Sequence, residues 1–187
     1  MAIKKKHGIF CFEGEWSPNL KDESSMRTLL QFLKQNDQID FIFRDIGTIE
    51  ELKFYIRKWK QKAYKKYNIG YFAFHGRPGH LQIGRKELSL GELGDLLEGA
   101  CKGKVLLFDS CATLGVGKKQ INKFISKTKA RCVCGYKKDV YWFPSAALVI
   151  LLLSTLNDFT RMDAVERRLM SYRDLTRKLG FEMHWRR

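Results

Sequence analysis

Residues 69–76 read IGYFAFHG and residues 104–111 read KVLLFDSC, and these two stretches decide the fold. Each is a short, almost wholly apolar run that ends abruptly in polar residues. A strand buried on both faces shows no apolar–polar alternation, so such runs predict interior strands of a parallel sheet. Working outward, residues 8–15 and 39–45 predict two earlier strands and residues 131–136 a later one. Helical spacings lie between them. Met26, Leu29, Leu30 and Leu33 mark a helix over 24–35. Leu52, Tyr55, Ile56, Trp59 and Ala63 mark a second, which Thr48 caps with Glu51 three residues on; Ile121, Phe124 and Ile125 mark a third over 118–129. The glycine-punctuated segment 76–90 predicts a small hairpin, followed by a short helix through Leu93, Leu96 and Leu97. Pro144 lies near the start of an apolar helix over 146–156. Residues 163–179 predict one further helix, stopped by Gly180, and residues 181–185 a last strand. Strands alternating with helices predict an α/β fold, a three-layer αβα sandwich with a mostly parallel central sheet of about six strands. No linker, repeat or low-complexity tract interrupts the 187 residues, so a single domain over 1–187 is expected.

Lys and Arg total 35 against 20 Asp and Glu, a formal net charge of +15. That balance favours acidic partners: nucleic acid, an anionic membrane or an acidic protein. The basic residues are scattered, over 4–6, 57–66, 118–131 and at 186–187, many on helix faces expected to be solvated. Sequence order therefore ranks nucleic-acid binding below the alternatives. The apolar start over 9–12 breaks at Glu13, too soon for a signal-peptide core. The apolar run 146–153 falls well short of the roughly 20 residues that cross a bilayer, so no membrane association is expected. The five cysteines, at 11, 101, 111, 132 and 134, are odd in number and lack zinc-ligand spacing. Reduced thiols and a cytoplasmic location fit that usage. No metal or organic cofactor is expected. Neither GxxxxGK[ST] nor GxGxxG occurs, and residues 115–119 (GVGKK) have neither the length nor the order of a phosphate loop.

In open α/β sheets ligands bind beyond the carboxyl ends of the strands. There the two deciding stretches deliver His75-Gly76 and Asp109-Ser110-Cys111. Neighbouring strands lie ~4.8 Å apart, so if these two pair, an imidazole and a thiol reach one crevice. A cysteine attacks a carbonyl as its thiolate, and a histidine can promote that form or protonate the leaving amine. Gly76 lets a substrate carbonyl approach its backbone N–H, which with the Cys111 N–H could form an oxyanion hole.

Strand-His-Gly, then roughly thirty residues, then apolar strand-Asp-Ser-Cys resembles the layout of the caspase-like cysteine peptidases. Residues 69–156 look most like a CHAT domain in order: HGRPGHLQIG, the ELSLGEL segment, VLLFDSCATLGVG, the strand ARCVCGY and the long apolar helix. The resemblance implies His75 as catalytic histidine, Cys111 as nucleophile and Gly76 as an oxyanion contributor. Asp109-Ser110-Cys111 also resembles the metacaspase triplet, whose acid lines the pocket for a basic residue; this implies substrate binding by Asp109 and cleavage after Arg or Lys. Metacaspases continue His-Ser-Gly where this chain has Ala112-Thr113-Leu114-Gly115, and Asp109 could instead accept bonds from loop amides. Residues 8–67 fit two leading strand–helix units but carry no diagnostic motif.

The expectation is thus a cysteine endopeptidase acting on a protein or peptide substrate. The chain is short for the superfamily, so activation by a separate protein partner, dimerisation or a ligand is a further expectation; calcium is the ion used by some relatives. The rivals are a non-catalytic caspase-like interaction module and a basic nucleic-acid-binding α/β protein. Cys11, Cys101, Cys132 and Cys134 lie in apolar segments and read as inert core thiols. His80 reads as a surface residue, and His7 and His184 lie near the chain ends. Asp139, Tyr141, Trp142 and Phe143 follow the strand over 131–136; Trp142 and Phe143 read more readily as cover for the end of the core than as a cleft wall.

Overall fold

The computed structural model of the chain describes residues 7–185; the basic residues at 4–6 and 186–187 lie outside that range. The first strands are β1 (His7–Glu13), β2 (Ile39–Asp45) and β3 (Tyr67–Ala73). A small group follows: β4 (Gly76–Arg77), β5 (His80–Ile83) and β6 (Lys86–Ser89). The last are β7 (Val105–Asp109), β8 (Cys132–Tyr136) and β9 (Phe181–Trp185). Six of them form one sheet in the order β2-β1-β3-β7-β8-β9, all parallel except β9, which runs antiparallel to β8. The expected hairpin over 76–90 is a separate three-stranded antiparallel sheet, β4-β5-β6.

The helices are α1 (Arg27–Gln35), α2 (Ile49–Trp59), α3 (Leu90–Leu96), α4 (Lys118–Thr128), α5 (Trp142–Asp158), α6 (Met162–Leu169) and α7 (Arg173–Leu179). The capping box at Thr48 and Glu51 is present, and Ser89 with Glu92 forms a second at the start of α3. Pro144 falls in the first turn of α5, where its missing N–H costs no helical bond. The helix expected over 163–179 breaks at a 3₁₀ turn, Met170–Tyr172. Val165, Leu169, Tyr172, Leu175 and Leu179 keep helical spacing through the break, so hydrophobic periodicity could not reveal it. No helix of the described residues is long and apolar enough to cross a membrane.

Alternate residues of each strand feed two cores, the signature of a sheet covered on both faces. Ile9, Cys11, Tyr71, Leu107 and Cys134 pack with α1, α5 and α6 on one face. Phe10, Phe12, Phe72, Leu106 and Phe108 pack with α2, α3 and α4 on the other, completing three layers. On the second face, register partners form an aromatic ladder: Phe12 stacks on Phe72 at 5.0 Å and Phe72 on Phe108 at 5.3 Å. The ladder ties together the three strands whose carboxyl ends carry the site.

Candidate active site

From β1 the chain leaves to one side for β2 and returns on the other for β3, so the strand order reverses between β1 and β3. That is where a parallel sheet opens a crevice at its carboxyl edge. In the β3–β7 register Ala73 faces Asp109. His75 and Cys111 each follow two residues later, and both line one small cavity of about 50 Å³. Trp16, Met26, Trp142 and Ser145 enclose it with Asp109 at its lining.

The His75 ring is oriented by a group that the motifs did not identify. Its Nε2 lies 2.9 Å from the carbonyl oxygen of Trp16. A carbonyl only accepts, so Nε2 carries the proton and Nδ1 is left as the acceptor nitrogen. The Trp16 indole stands edge-on to the imidazole at 5.3 Å and to Trp142 at 5.0 Å. Its Nε1 donates to Glu13 at 2.9 Å. Glu13 also accepts from the Met26 amide at 2.7 Å and the Ser25 hydroxyl at 2.5 Å, fixing the loop after β1 to the start of α1. Burial raises the Glu13 carboxyl, and those three donors pull it back down. Glu13 ends β1 and Trp16 follows it as His75 follows β3; their position at a strand end was the available signal.

Cys111 sits on a strained turn. Ala112, directly after it, has φ of 52°, the left-handed region that residues with a Cβ rarely enter. The turn is held by Ala112 N–H donating to Lys138 O at 2.8 Å and Gly115 N–H to Ala112 O at 2.7 Å. The half-buried thiol rests against Val140, whose N–H points at Sγ at 3.4 Å. His75 and Cys111 share the crevice without a direct hydrogen bond among the described contacts. Ser110 is buried and its hydroxyl pairs with Thr113 at 2.7 Å, which supports the loop.

Gly76 packs directly on that loop. A Cβ there would meet Cys111 O at 2.8 Å and Ser110 Cβ at 3.0 Å, besides Thr113 Oγ1. Its carbonyl and N–H face away from β5, because the preceding His75 carbonyl already takes the Gln82 N–H at 2.8 Å. Gly76→Ala is expected to destabilise the fold by about 1–3 kcal/mol through overpacking. Gly47→Ala, whose Cβ meets only Glu51 Oε2 at 3.5 Å, should stay within about 0.5 kcal/mol. Urea unfolding of both variants checks this; equal midpoints would show that the contact is tolerated.

Asp109 is buried, and Tyr71 donates to its Oδ2 at 2.6 Å. The alternative of loop amides as its partners is thus not what forms. Among the described residues no donor reaches its Oδ1, and no buried side-chain oxygen is left unpaired, so Oδ1 keeps contact with the crevice. Burial pushes the Asp109 carboxyl up to about 6; the Tyr71 bond lowers it and Glu13 raises it.

The other candidates separate clearly. Cys11, Cys101, Cys132 and Cys134 are all buried. Burial raises Cys11 well above its usual value and Cys101 to about 12, while Cys132 and burial raise Cys134. His80 bonds to Pro78 O, His184 to Glu182, and His7 lies at the opposite end of the sheet against Asn68 and Leu156. Trp142 is half-buried over the crevice, but Phe143 is 83% exposed. It does not cover the core, because in helix α5 it points away from the buried Ser145, Leu148 and Val149. Asp139 and Tyr141 are exposed as well. No group of three or more His, Cys, Asp or Glu is placed to hold a metal ion among the described residues.

No curated protein matches the chain. A family model, described as a family of unknown function (DUF6642), matches residues 6–185, and with that span covered the chain belongs to this family.

Proposed function

We propose that this chain is a cysteine endopeptidase of caspase-like type, with Cys111 as nucleophile and His75 as acid–base. The observation that carries the reading is the His75–Cys111 placement: register-matched exits from paired strands into one crevice, with the imidazole held by a third group, the Trp16 carbonyl. In the reaction Sγ bonds to the scissile carbonyl carbon, and the thiol proton passes to His75 Nδ1. The carbonyl π pair moves onto oxygen, where the Gly76 and Cys111 amides would stabilise it. Collapse breaks the C–N bond as Nδ1–H protonates the leaving amine, giving a thioester. Water then attacks, Nδ1 takes its proton, and the C–S bond breaks with return of that proton to sulfur.

Asp109 supports a basic residue on the acyl side of the cut, its free oxygen accepting from a guanidinium. A cavity of about 50 Å³ holds little more than one water, so an arginine side chain enters only when the Trp16–Trp142 pair opens. Substrate or an activating partner would supply that opening. The same closure favours the second reading, an interaction module that does not turn over.

The two are separated by intact-mass labelling with a peptide acyloxymethyl ketone bearing Arg, alongside an Asp probe. One adduct on wild type, absent from Cys111→Ala and faster with Arg, is the expected result. Wild type left unlabelled by both probes, also after Trp142→Ala has opened the crevice, would support the module instead.

A further inference from the structure

The lysines that look scattered in sequence gather in space at the end of the sheet opposite the crevice. In a parallel sheet the segments leading into each strand all arrive at one edge. Here Lys65 and Lys66 lead into β3, Lys102 and Lys104 into β7, and Lys129 and Arg131 into β8. Lys60 and Lys62 occupy the exposed turn between α2 and β3. Contacts place these segments side by side. The Lys104 ammonium reaches the Tyr67 carbonyl at 3.3 Å, Arg131 N–H donates to Lys104 O at 2.8 Å, and Lys102 bridges to Ala130. The Lys104 ammonium also sits over the Trp59 ring at 4.5 Å, which puts the end of α2 and its turn beside the β7 entrance.

Little offsets this charge. Asp40 takes Lys34 at 3.3 Å and Lys66 at 3.0 Å. None of the ion pairs of the described residues takes Lys60, Lys62, Lys65, Lys102, Lys129 or Arg131. The other acids at this end are Asp37, Glu98 and Asp158, together with Asp95, which pairs with Lys127, and Asp163, which pairs with Arg161 and Arg167. Next to the row opens a cavity of about 680 Å³ whose lining adds His7, Asn68, Leu156, Asn157 and Thr160 to Lys65 and Lys66. At the crevice end one groove of about 440 Å³ beside Trp16 is acidic, lined by Glu15, Asp22, Glu23 and Asp45.

We propose that the basic edge formed by the entrances to β3, β7 and β8 docks the phosphate backbone of a nucleic-acid duplex. Successive strand entrances are ~4.8 Å apart, so with the flanking turn the row is about 15 Å long. A duplex strand presents a phosphate every ~3.4 Å of axis, so about four fall within reach. A linear array of ammonium groups beside a concave recess with amides and a hydroxyl suits phosphate contacts without base reading. A lipid surface would instead call for apolar side chains among the lysines. Of the exposed large hydrophobics, Leu20, Tyr141, Phe143 and Met170 lie away from this edge and Phe54 sits midway along α2, which leaves Phe32, near the end of α1, as a single apolar side chain beside it. Bound this way, the molecule turns its crevice and the acidic groove beside Trp16 away from the polyanion.

The test is fluorescence anisotropy of the full chain with a labelled 20-base-pair duplex of arbitrary sequence, titrated between 50 and 200 mM KCl. About four phosphate contacts give a slope near −3.6 and an affinity loss of about a hundredfold over that range. Lys60→Glu/Lys62→Glu/Lys65→Glu/Lys102→Glu is expected to weaken binding at least thirtyfold at 50 mM. Lys21→Glu/Lys119→Glu/Lys123→Glu/Lys178→Glu, with the same net charge and equally exposed positions, should stay within about threefold. The milder Lys62→Glu/Lys65→Glu pair, confined to the exposed turn, should lose about tenfold and covers the case that four changes unfold the chain. Equal losses in the edge and control variants would reduce the effect to net charge and overturn the proposal. So would tight binding to phosphatidylserine vesicles that excess duplex fails to compete away, or no duplex binding at 50 mM.

Discussion

Cys111→Ala is expected to lower kcat/KM on a fluorogenic Arg-containing peptide by about 10⁴-fold or more, and His75→Ala by about 10³-fold. The difference follows from their roles. Without the sulfur no thioester forms, whereas without the imidazole the nucleophile is still in place. The double variant should be no worse than Cys111→Ala alone, because the two groups act as one unit. Cys111 is half-buried, and among the described residues its sulfur hydrogen-bonds only to the Val140 backbone. Thermal unfolding of Cys111→Ala should therefore stay near wild type. Turnover that survives in Cys111→Ala, at unchanged stability, would remove the peptidase assignment.

Asp109→Asn is expected to change function and stability in opposite directions. Loss of the charge-assisted contact to a guanidinium should reduce kcat/KM for an Arg peptide by about a hundredfold, with little change for a neutral residue at the same position. Stability moves the other way above neutral pH. The Asp109 carboxyl lies at about 6 in the folded chain, against an unfolded value near 3.9. Between those values the folded state holds a proton that the unfolded state has lost, so stability falls as pH rises from about 4 to 6 and stays lowered above. The isosteric amide cannot ionise and can still accept from Tyr71. Asp109→Asn should thus gain about 2–3 kcal/mol over wild type at pH 8 and nothing at pH 4. Denaturant unfolding at the two pH values checks it; a gain equal at both would mean that charge burial is not the cause. A side chain that costs stability while facing a crevice is the kind of residue retained for binding.

How far the chain could be read in advance depended on how local each signal was. Apolar runs marked the four inner strands, because strands buried on both faces have nowhere to place polar residues; the edge strands β2 and β9, half-buried and carrying Asp40, Arg44, Glu182 and His184, were legible by their place in the alternation of strands and helices. The 3₁₀ break after Leu169 left no trace, since the buried positions stay in phase across it. His75, Cys111 and Asp109 were legible as strand-end residues in a recognisable order. Trp16 and Glu13 were not, although they finish the same crevice. Trp16 acts on His75 through a backbone carbonyl, which any residue could supply, and Glu13 through bonds to a loop whose path no motif encodes. The basic edge was hidden for a related reason: its members are far apart along the chain, and only the parallel sheet brings strand entrances together.

The strand order also bears on how the chain can assemble as it leaves the ribosome. From β3 onward, β7, β8 and β9 each attach to the exposed edge left by the strand before, so the sheet can extend in one direction during synthesis. Its two faces do not close together. Trp59, Ile56 and Leu52 of α2 cover Phe10 and Phe12 once residue 59 has emerged, whereas Cys11, Leu30 and Tyr71 wait for Leu148 and Leu152 of α5. For about ninety residues of synthesis, some 5–20 s at ribosomal rates, α1 alone covers that second face. Nascent chains stopped before residue 142 should therefore be the ones that bind chaperones, and chains extended past residue 158 the ones that release them.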